Sequence, residues 1–216
     1  MSPQSKLRLS ITMSLDGYVA GPNQSQENPL GVGAMELHAW FFPLKAFREM
    51  HGEAGGDVNA SSAVVEERRT NVGATIMGRN MFGPVRGPWP DQSWRGWWGE
   101  DPPYHHPVFV LTHHPREPLK MEGGTTFHFV SDGIESALSQ ATDAARGRDI
   151  WLAGGASVVN QYLAARLVDE IDVSVAPLIL GAGARLFQGL DRGTLKLKQL
   201  RTVDAPGVTH IKYDVS

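Results

Sequence analysis

Hydrophobic and polar positions along the chain repeat with two different periods. In "LRLSITMS" (7–14) every second residue is apolar, which predicts a half-buried β-strand with the residues from Leu7 to Met13 alternating onto one face. Further strands are predicted at 72–78, 106–112, 125–130, 149–153 and 170–176, with a C-terminal pair near 195–201 and 208–215. Helical spacing predicts helices over 35–50, where Pro43 should kink or split the helix, and over 62–71 and 156–166.

One more helix is predicted from its start signal. Asp132 is followed three residues later by Glu135, which is typical of reciprocal capping at a helix N-terminus. Apolar residues then recur at helical spacing, which predicts a buried stripe. The stripe comprises Ile134, Leu138, Ala141 and Ala145.

The order of these elements predicts the fold class. Helices alternate with strands through the middle of the chain, and strands alone end it, which indicates an α/β fold with a mainly parallel sheet and an antiparallel strand pair at its C-terminal edge. A chain of 216 residues suits one core, so residues 1–216 are interpreted as a single domain.

Two long loops interrupt this alternation, at 17–34 and 83–107. The second contains Trp89, Trp94, Trp97 and Trp98 among six prolines. Long loops in compact domains are usually functional or disordered, and this aromatic content argues against disorder. We expect a lid or a subunit contact, with simple padding as the alternative.

Composition narrows the function to small-molecule chemistry. The net charge of −3 gives no electrostatic case for nucleic acid or an acidic membrane surface as a partner. The absence of cysteine excludes disulfides, zinc–thiolate sites and cysteine nucleophiles, and the eight histidines lack metal-ligand spacing, so no metal is expected. Without an apolar run near the N-terminus or one long enough to span a bilayer, a cytoplasmic location is expected.

Glycine-containing strand ends are the candidate chemistry. In "WLAGGASVVNQYL" (151–163), Gly154 and Gly155 join a strand to a helix, where backbone N–H groups and the helix dipole favour an anion, although a tight turn explains the glycines equally well. Gly78 and Arg79 end another strand, and a third ends at "VLTHHP" (110–115). Ligands of open α/β sheets bind beyond the carboxyl ends of the strands, so the three junctions are expected to converge on one cofactor.

Four segments carry a family resemblance. "ITMSLDGYVAG", "GATIMGRNMFG", "WLAGGASVVNQYL" and "LVDEIDVSVAPLILGAGARLF" occur in this order. Together they resemble the reductase domain of the bifunctional riboflavin-biosynthesis deaminase-reductase and its stand-alone relatives, within the dihydrofolate reductase-like fold. The resemblance implies a three-layer fold with helices on both faces of the sheet. It also implies an NADPH-dependent reductase of a pyrimidine, pterin or related ring, active as a homodimer.

The resemblance also implies site residues. Those implied to bind NADPH are Gly78, Arg79, Asn80, Thr112, His113, Gly154, Gly155, Ala156 and Ser157. The last four would hold the diphosphate at a helix start, while Thr112 and His113 would lie near the 2′-phosphate. Asp16, in "SLDG", is implied to lie on the substrate side near the nicotinamide as a catalytic residue, with turn chemistry as the alternative.

Three functions remain open from the sequence. The first is an NADPH-dependent reductase of a small heterocycle. The second is the riboflavin-pathway 5-amino-6-(5-phosphoribosylamino)uracil reductase, for which Arg86 and Arg95 are candidate ligands of a ribose phosphate. The third is a nucleotide-binding relative without catalysis. Met81 replaces the hydroxyl that dihydrofolate reductases usually have two residues after the Gly-Arg pair, which removes one phosphate donor. No acidic residue matches their folate-binding carboxylate, so dihydrofolate is not the expected substrate.

One segment also predicts association. "EIDVSVAPLIL" (170–180) is a strongly apolar strand that we place near an edge of the sheet. An uncovered apolar edge invites pairing with a second chain, so the strand supports the homodimer.

Overall fold

A computed structural model describes residues 5–83 and 86–216, so Pro84 of the long aromatic loop lies outside the described residues. The strands are β1 Leu7–Ser14, β2 Tyr18–Ala20, β3 Val72–Gly78, β4 Pro107–Leu111, β5 Leu119–Lys120, β6 Thr126–Val130, β7 Asp149–Gly154, β8 Glu170–Ala176, β9 Ala184–Arg185, β10 Leu197–Ala205 and β11 Val208–Val215. The α-helices are α1 Lys45–Met50, α2 Ala60–Arg69, α3 Arg79–Phe82, α4 Ile134–Ala145 and α5 Ala156–Ala164. Short 3-10 helices cover Met35–His38 and Glu122–Gly124.

Nine of these strands form one sheet, in the order β10-β11-β8-β1-β7-β3-β4-β6-β5. The central six, from β8 to β6, are parallel, whereas β11 runs antiparallel to β8 and to β10, and β5 runs antiparallel to β6. A separate antiparallel pair joins β2 to β9. The predicted α/β class, the mainly parallel sheet and the C-terminal antiparallel pair are confirmed.

Both faces of the sheet are covered. Successive side chains of a strand point to opposite faces, so neighbouring residues pack into different layers. In β3, Ile76 packs into the core cluster of α4 and α5, and the next residue, Met77, packs into a second cluster that contains Phe82 and three tryptophans of the long loop. In β8, Val173 joins the α4–α5 cluster, and Ser174 faces the opposite side.

On that opposite side, α2 covers the antiparallel end of the sheet. His210 of β11 is paired in register with Ser174, and its ring bonds the hydroxyls of Ser174 and of Ser61 on α2, each at 2.8 Å. Helices therefore lie on both faces, as the resemblance implied. Phe82 of α3 and three tryptophans of the long loop cover another part of this side, over β3 and β4.

The prediction that β1 is half buried is wrong. Ser10, Thr12 and Ser14, on the polar side of the alternation, are buried along with Leu7 and Leu9. The strand lies between β7 and β8 in the middle of the sheet, so both of its faces are covered. Small hydroxyl side chains fill most of this second face, and Arg8 at its N-terminal end pairs with Asp149 at 3.1 Å.

The predicted edge position of residues 170–176 is also wrong. β8 pairs with β1 on one side and with β11 on the other, because the C-terminal hairpin folds back over it. β8 is an interior strand that is buried on both faces: Ile171 and Val173 lie on one face, and the polar residues Glu170, Asp172 and Ser174 are buried on the other. The argument for a homodimer that rested on this edge is removed, and the dimer itself stays a prediction.

Two predicted helices differ in detail. Pro43 splits the predicted helix 35–50 into the 3-10 turn Met35–His38 and the short helix α1. The reciprocal cap at Asp132 does not form: α4 begins after Gly133, whose φ of 101° suits glycine, and the helix has no side-chain cap. Asp132 instead accepts a hydrogen bond from the Ser136 hydroxyl at 2.7 Å. Among the described residues, no helix combines the length and apolarity needed to cross a bilayer.

Candidate functional site

A cavity of about 1320 Å³ lies at the carboxyl ends of the parallel strands. It is larger than the roughly 300–1,000 Å³ usual for a single small-molecule site, so it has room for two ligands side by side. Its described lining comes from the ends of β3, β4, β6 and β7, from the middle of β1, and from the loops that follow β1 and β3.

The three strand-end junctions, at Gly78 and Arg79, at Thr112 and His113, and at Gly154 and Gly155, meet at this one cavity. All nine residues implied to bind a cofactor line it. They are Gly78, Arg79, Asn80, Thr112, His113, Gly154, Gly155, Ala156 and Ser157. The convergence follows from topology, because β4, β3 and β7 are neighbouring parallel strands whose carboxyl ends lie at one edge of the sheet.

The junction between β7 and α5 has the features of an anion cradle. Gly155 is the N-cap of α5, and the helix has no side-chain cap, so the first N–H groups of the helix are free of side-chain partners. A Cβ atom added to Gly155 would meet nothing within 4 Å, which means that it would project into open space. The preceding Gly154 has a φ of 129°, which L side chains rarely adopt, and the peptide bond between the two glycines is cis.

Gly78 serves a packing role at the same place. A Cβ atom there would lie 2.9 Å from Cγ2 of Val158 and 3.6 Å from the backbone nitrogen of Gly155. The first of these distances is a clash. Glycine at position 78 therefore lets the end of β3 approach the start of α5, and it sets Arg79, the next residue, beside the α5 N-terminus.

Arg79 brings an incompletely paired cation to the cavity. Its Nη1 donates to the Thr112 hydroxyl at 3.4 Å, whereas its Nε and Nη2 are buried without a partner among the described residues. The guanidinium carbon lies 3.5 Å from the centre of the Trp89 ring. Burial, and secondarily the charge of Arg116, lower the pKa of Arg79 from its usual value, and the group remains a cation at neutral pH.

Thr112 and the residues after it complete this end of the cavity. Thr112 is buried, and its hydroxyl accepts from the backbone N–H of His114 at 3.1 Å, which tightens the turn at the end of β4. The backbone carbonyl of His114 accepts from Nε1 of Trp89 at 2.9 Å. The long loop is thus joined to both Arg79 and the β4 turn.

Asp16 lies elsewhere. It is not among the described residues that line the cavity. Its Oδ1 accepts from the Ser14 hydroxyl at 2.5 Å and from the backbone N–H of Leu180 at 3.1 Å, and its Oδ2 accepts from the backbone N–H of Gly181 at 2.7 Å. The Ser14 hydroxyl, assisted by the two N–H groups, lowers the pKa of Asp16 to about 2. This geometry favours the turn interpretation of "SLDG", and a catalytic role for Asp16 stays without support from its position.

The other end of the cavity contains residues that the sequence analysis did not single out. His38 and Trp40, on and just after the 3-10 turn, line it together with Phe41, Val65 and Arg68. Nδ1 of His38 and Nε1 of Trp40 are buried without a hydrogen-bond partner among the described residues. Burial lowers the pKa of His38 to about 4, so its ring is neutral at pH 7. In the sequence these two residues belong only to the amphipathic helical pattern of 35–50, and that pattern gives no sign of a functional role.

The charge of the lining has one sign. Its described residues include four arginines and no aspartate or glutamate. The arginines are Arg68, Arg69, Arg79 and Arg86. Arg95, the other candidate for a ribose phosphate, does not line the cavity and pairs with Glu100 at 2.9 Å. A cavity lined in this way favours anionic or neutral ligands. No group of acidic and histidine residues suitable for a metal occurs in the part of the chain that the structure describes.

The fold and this cavity define a protein of the dihydrofolate reductase-like α/β class. The model of the RibD C-terminal domain family matches residues 5–209, and the chain therefore belongs to that family. Two proteins of Bacillus subtilis (strain 168), the uncharacterized YyaP and YwjB, are each 37% identical to it, over 86 and 71 residues. These matches span 39% and 32% of this chain, and 45% and 40% of the two relatives, which is less than half of each.

Solved structures share the fold. A protein of Shewanella sp. PV-4 named for riboflavin biosynthesis superposes with a TM-score of 0.63 at 20% identity, covering 98% of this chain and 99% of that one. RibD of Acinetobacter baumannii gives a TM-score of 0.57 at 16% identity, covering 99% of this chain and 58% of the longer protein. Dihydrofolate reductase of Enterococcus faecalis, solved with NADP(H), gives 0.53 at 12% identity, covering 99% and 98%.

Proposed function

We propose that this chain is an NADPH-dependent reductase that transfers a hydride to a small heterocyclic substrate. The observation that carries the proposal is one cavity whose lining combines the uncapped, open start of α5 with Arg79, a cation whose Nε and Nη2 have no partner among the described residues. The backbone N–H groups at the N-terminus of a helix and the N–H groups of an arginine guanidinium both bind phosphate. Family membership and the NADP(H) complex of a protein with the same fold support the same choice of cofactor.

The residues of this chain fit the cofactor. The open space over Gly155 accommodates a diphosphate against the first N–H groups of α5. Arg79 and Thr112, one strand end away, would hold a further phosphate on the adenosine side. NADPH, when bound, supplies the hydride, so the task of the protein is to hold two rings in contact and to exclude water. Apolar and aromatic side chains of the lining, including Ile11, Trp97 and Trp98, suit that task.

A titration with NADPH tests the proposal. We expect saturable binding at one site per chain, followed by calorimetry or by the change in nicotinamide fluorescence. Gly155→Val should abolish it, because a branched side chain would fill the space that the diphosphate needs, while a backbone φ of −75° tolerates valine. Ala164→Val, which adds similar bulk at the exposed last residue of α5, is the matched control and should bind normally. Unchanged NADPH binding in Gly155→Val, or none in the parent protein at millimolar NADPH, would contradict the proposal.

The riboflavin-pathway reductase is a second candidate. The observation in its favour is Arg86, which lines the cavity and is available to a ribose phosphate. This second candidate function predicts that turnover needs the phosphoribosyl group of 5-amino-6-(5-phosphoribosylamino)uracil. Comparing this substrate with its dephosphorylated form distinguishes the candidates, because only the pathway enzyme should lose most of its kcat/KM without the phosphate. A protein that binds NADPH but oxidises it with no acceptor in a screen of pterins, pyrimidines and carbonyl compounds would be a non-catalytic relative.

A further inference from the structure

Two hydroxyl groups of β1 open onto the cavity and have no hydrogen-bond partner among the described residues. Ser10, Thr12 and Ser14 point to the same face of the strand, and all three residues are buried. The Ser14 hydroxyl donates to Asp16 and accepts from the backbone N–H of Tyr18 at 2.9 Å. Ser10 and Thr12 line the cavity instead. Neither of their hydroxyls is among the fully enclosed polar atoms that lack a partner, so both are accessible from the cavity.

Thr12 lies level with the junction between β7 and α5. Leu9 of β1 pairs in register with Leu152 of β7, and three residues further along these parallel strands come Thr12 and Gly155. Ser10 is two residues earlier, about 7 Å farther from the strand end. In the sheet order β4-β3-β7-β1, a cofactor with its adenosine at β4 and its diphosphate at β7 would end at β1. The atoms that receive the hydride would therefore lie beside Thr12.

The proposed reduction needs a proton as well as a hydride. The hydride brings two electrons to the carbon of a C=N or C=O bond, the π electrons move to the nitrogen or oxygen, and that atom takes up one proton. The described lining contains no aspartate or glutamate that could give it. Asp16 lies outside this lining, and the Ser14 hydroxyl and backbone N–H groups lower its pKa to about 2, so it is ionised at neutral pH and has no proton to donate.

The other titratable groups of the described lining are poor acids or lie far from β1. Burial lowers the pKa of His38 to about 4, so its ring is neutral at pH 7, and burial raises the pKa of the Tyr104 hydroxyl above its usual value. His113 and His114 follow β4, three strands from β1 and about 14 Å away at the usual strand spacing. The arginines keep their protons. A water molecule bound to the Thr12 hydroxyl is the proton source that this set of residues leaves.

We infer that the Thr12 hydroxyl holds the water molecule that donates this proton, which makes Thr12 a positioning residue of the reduction. The inference rests on the proposed function. By donating its own hydrogen to the water oxygen, the hydroxyl leaves the two water hydrogens free for the substrate. The hydroxide that remains takes a proton from solvent through the open cavity. The arginines of the lining favour the negative charge that develops on this water.

Two substitutions at position 12 test the inference. Thr12→Val removes the hydroxyl and keeps the shape of the side chain, and Thr12→Ser restores the hydroxyl. The probe acceptors are 7,8-dihydropterin, which is reduced at a C=N bond, and 5-amino-6-(5-phosphoribosylamino)uracil. Positioned proton transfer contributes about 10²–10⁴-fold to a rate, and bulk water replaces part of the loss, so Thr12→Val should lower kcat about 10- to 100-fold. KM and the NADPH dissociation constant should stay nearly unchanged.

The rescue and the isotope effect separate this role from a structural one. Thr12→Ser should recover most of the parent kcat. The solvent deuterium isotope effect on kcat should be larger in Thr12→Val than in the parent, because proton delivery becomes the slow step. Thr202→Val, at an exposed threonine of β10 that does not line the cavity, is the matched control and should change neither quantity.

A crystal structure of the parent with NADP⁺ gives a readout that does not depend on turnover. It should show a water molecule about 2.8 Å from Oγ1 of Thr12, and the Thr12→Val structure should lack it. Absence of this water in the parent would overturn the inference, as would a raised KM with unchanged kcat in Thr12→Val. A loss of kcat in Tyr104→Phe but not in Thr12→Val would do the same, because the phenol would then be the donor. A parent protein that binds no NADPH would instead refute the proposed function, and the inference with it.

Discussion

The guanidinium carbon of Arg79 lies 3.5 Å from the centre of the Trp89 ring, although the two residues belong to different parts of the molecule, the start of α3 and the long aromatic loop. The same indole donates its N–H to the backbone carbonyl of His114 at 2.9 Å. Trp89 thus connects the arginine to the turn after β4, where Thr112 contacts it. Within the described part of the long loop, Trp89 therefore holds Arg79 against the turn after β4.

Replacing Trp89 should therefore weaken NADPH binding indirectly, because Trp89 holds Arg79 and does not line the cavity itself. A desolvated cation–π contact is worth about 0.5–2 kcal/mol, so Trp89→Leu should raise the NADPH dissociation constant about 2- to 30-fold. Trp89→Phe keeps a ring but loses the bond to His114, and it should fall between the parent and Trp89→Leu. Calorimetric titration of the three proteins checks this order, and equal affinities would show that Arg79 does not depend on the loop.

Arg79 itself should determine the preference for NADPH over NADH. A charge-assisted contact to phosphate contributes roughly 1.5–3 kcal/mol, so Arg79→Ala should raise the NADPH dissociation constant about 10- to 150-fold and leave NADH almost unaffected. The loss should shrink at high salt, because screening already weakens the contact in the parent protein. If both cofactors weaken equally, Arg79 holds the shared diphosphate or the fold, and its assignment to the 2′-phosphate is wrong.

Asp16 should act on stability rather than on cofactor binding. Its two oxygens accept from Ser14, Leu180 and Gly181, and an asparagine amide cannot accept at both positions. Asp16→Asn should lower the melting temperature and leave the NADPH dissociation constant unchanged. Because the pKa is lowered to about 2 in the folded protein, the contribution of the carboxylate is present above about pH 4 and is lost as the pH falls towards 2.

Melting curves between pH 2 and 7 check this prediction. The difference between the parent and Asp16→Asn should be constant above about pH 4 and should narrow below it. A large fall in turnover with an unchanged melting temperature would instead restore Asp16 as a catalytic residue.

His210 should make the protein acid-sensitive. Burial lowers the pKa of His210 to about 4, so between pH 6.5 and 4 the unfolded chain binds a proton that the folded protein does not. Stability must then fall as the pH drops through this window, by up to about 1.4 kcal/mol per pH unit for one histidine. His106, which is bonded to the Thr75 hydroxyl at 2.7 Å and also has a pKa lowered to about 4, contributes in the same direction.

His210→Gln separates this effect from general acid denaturation. The amide can still donate and accept towards Ser61 and Ser174 but does not titrate. We expect lower stability at pH 7 and a shallower loss of stability between pH 6.5 and 4, measured by urea unfolding at several pH values. An unchanged slope would mean that His210 is not the titrating group.

Local patterns in the sequence determined the secondary structure of this protein and the residue types at its strand ends. The alternation of strands and helices and the glycine and arginine residues at strand ends can be read from neighbouring residues, because periodicity and turn chemistry act over a few positions. The bounds of β3 and β8 follow from the sequence as predicted. The convergence of Gly78, Thr112 and Gly155 also follows, since parallel neighbouring strands bring their ends together.

Only the tertiary structure decided the remainder, because it depends on contacts between residues far apart in the chain. Asp16 meets Gly181 across 165 positions, and its turn motif looks the same whether or not such a partner exists. β8 becomes an interior strand only when the C-terminal hairpin pairs with it. Thr12 is one polar position of an alternating strand in the sequence, and it becomes a candidate positioning residue because the packing of β1 between β7 and β8 places its hydroxyl at the cavity.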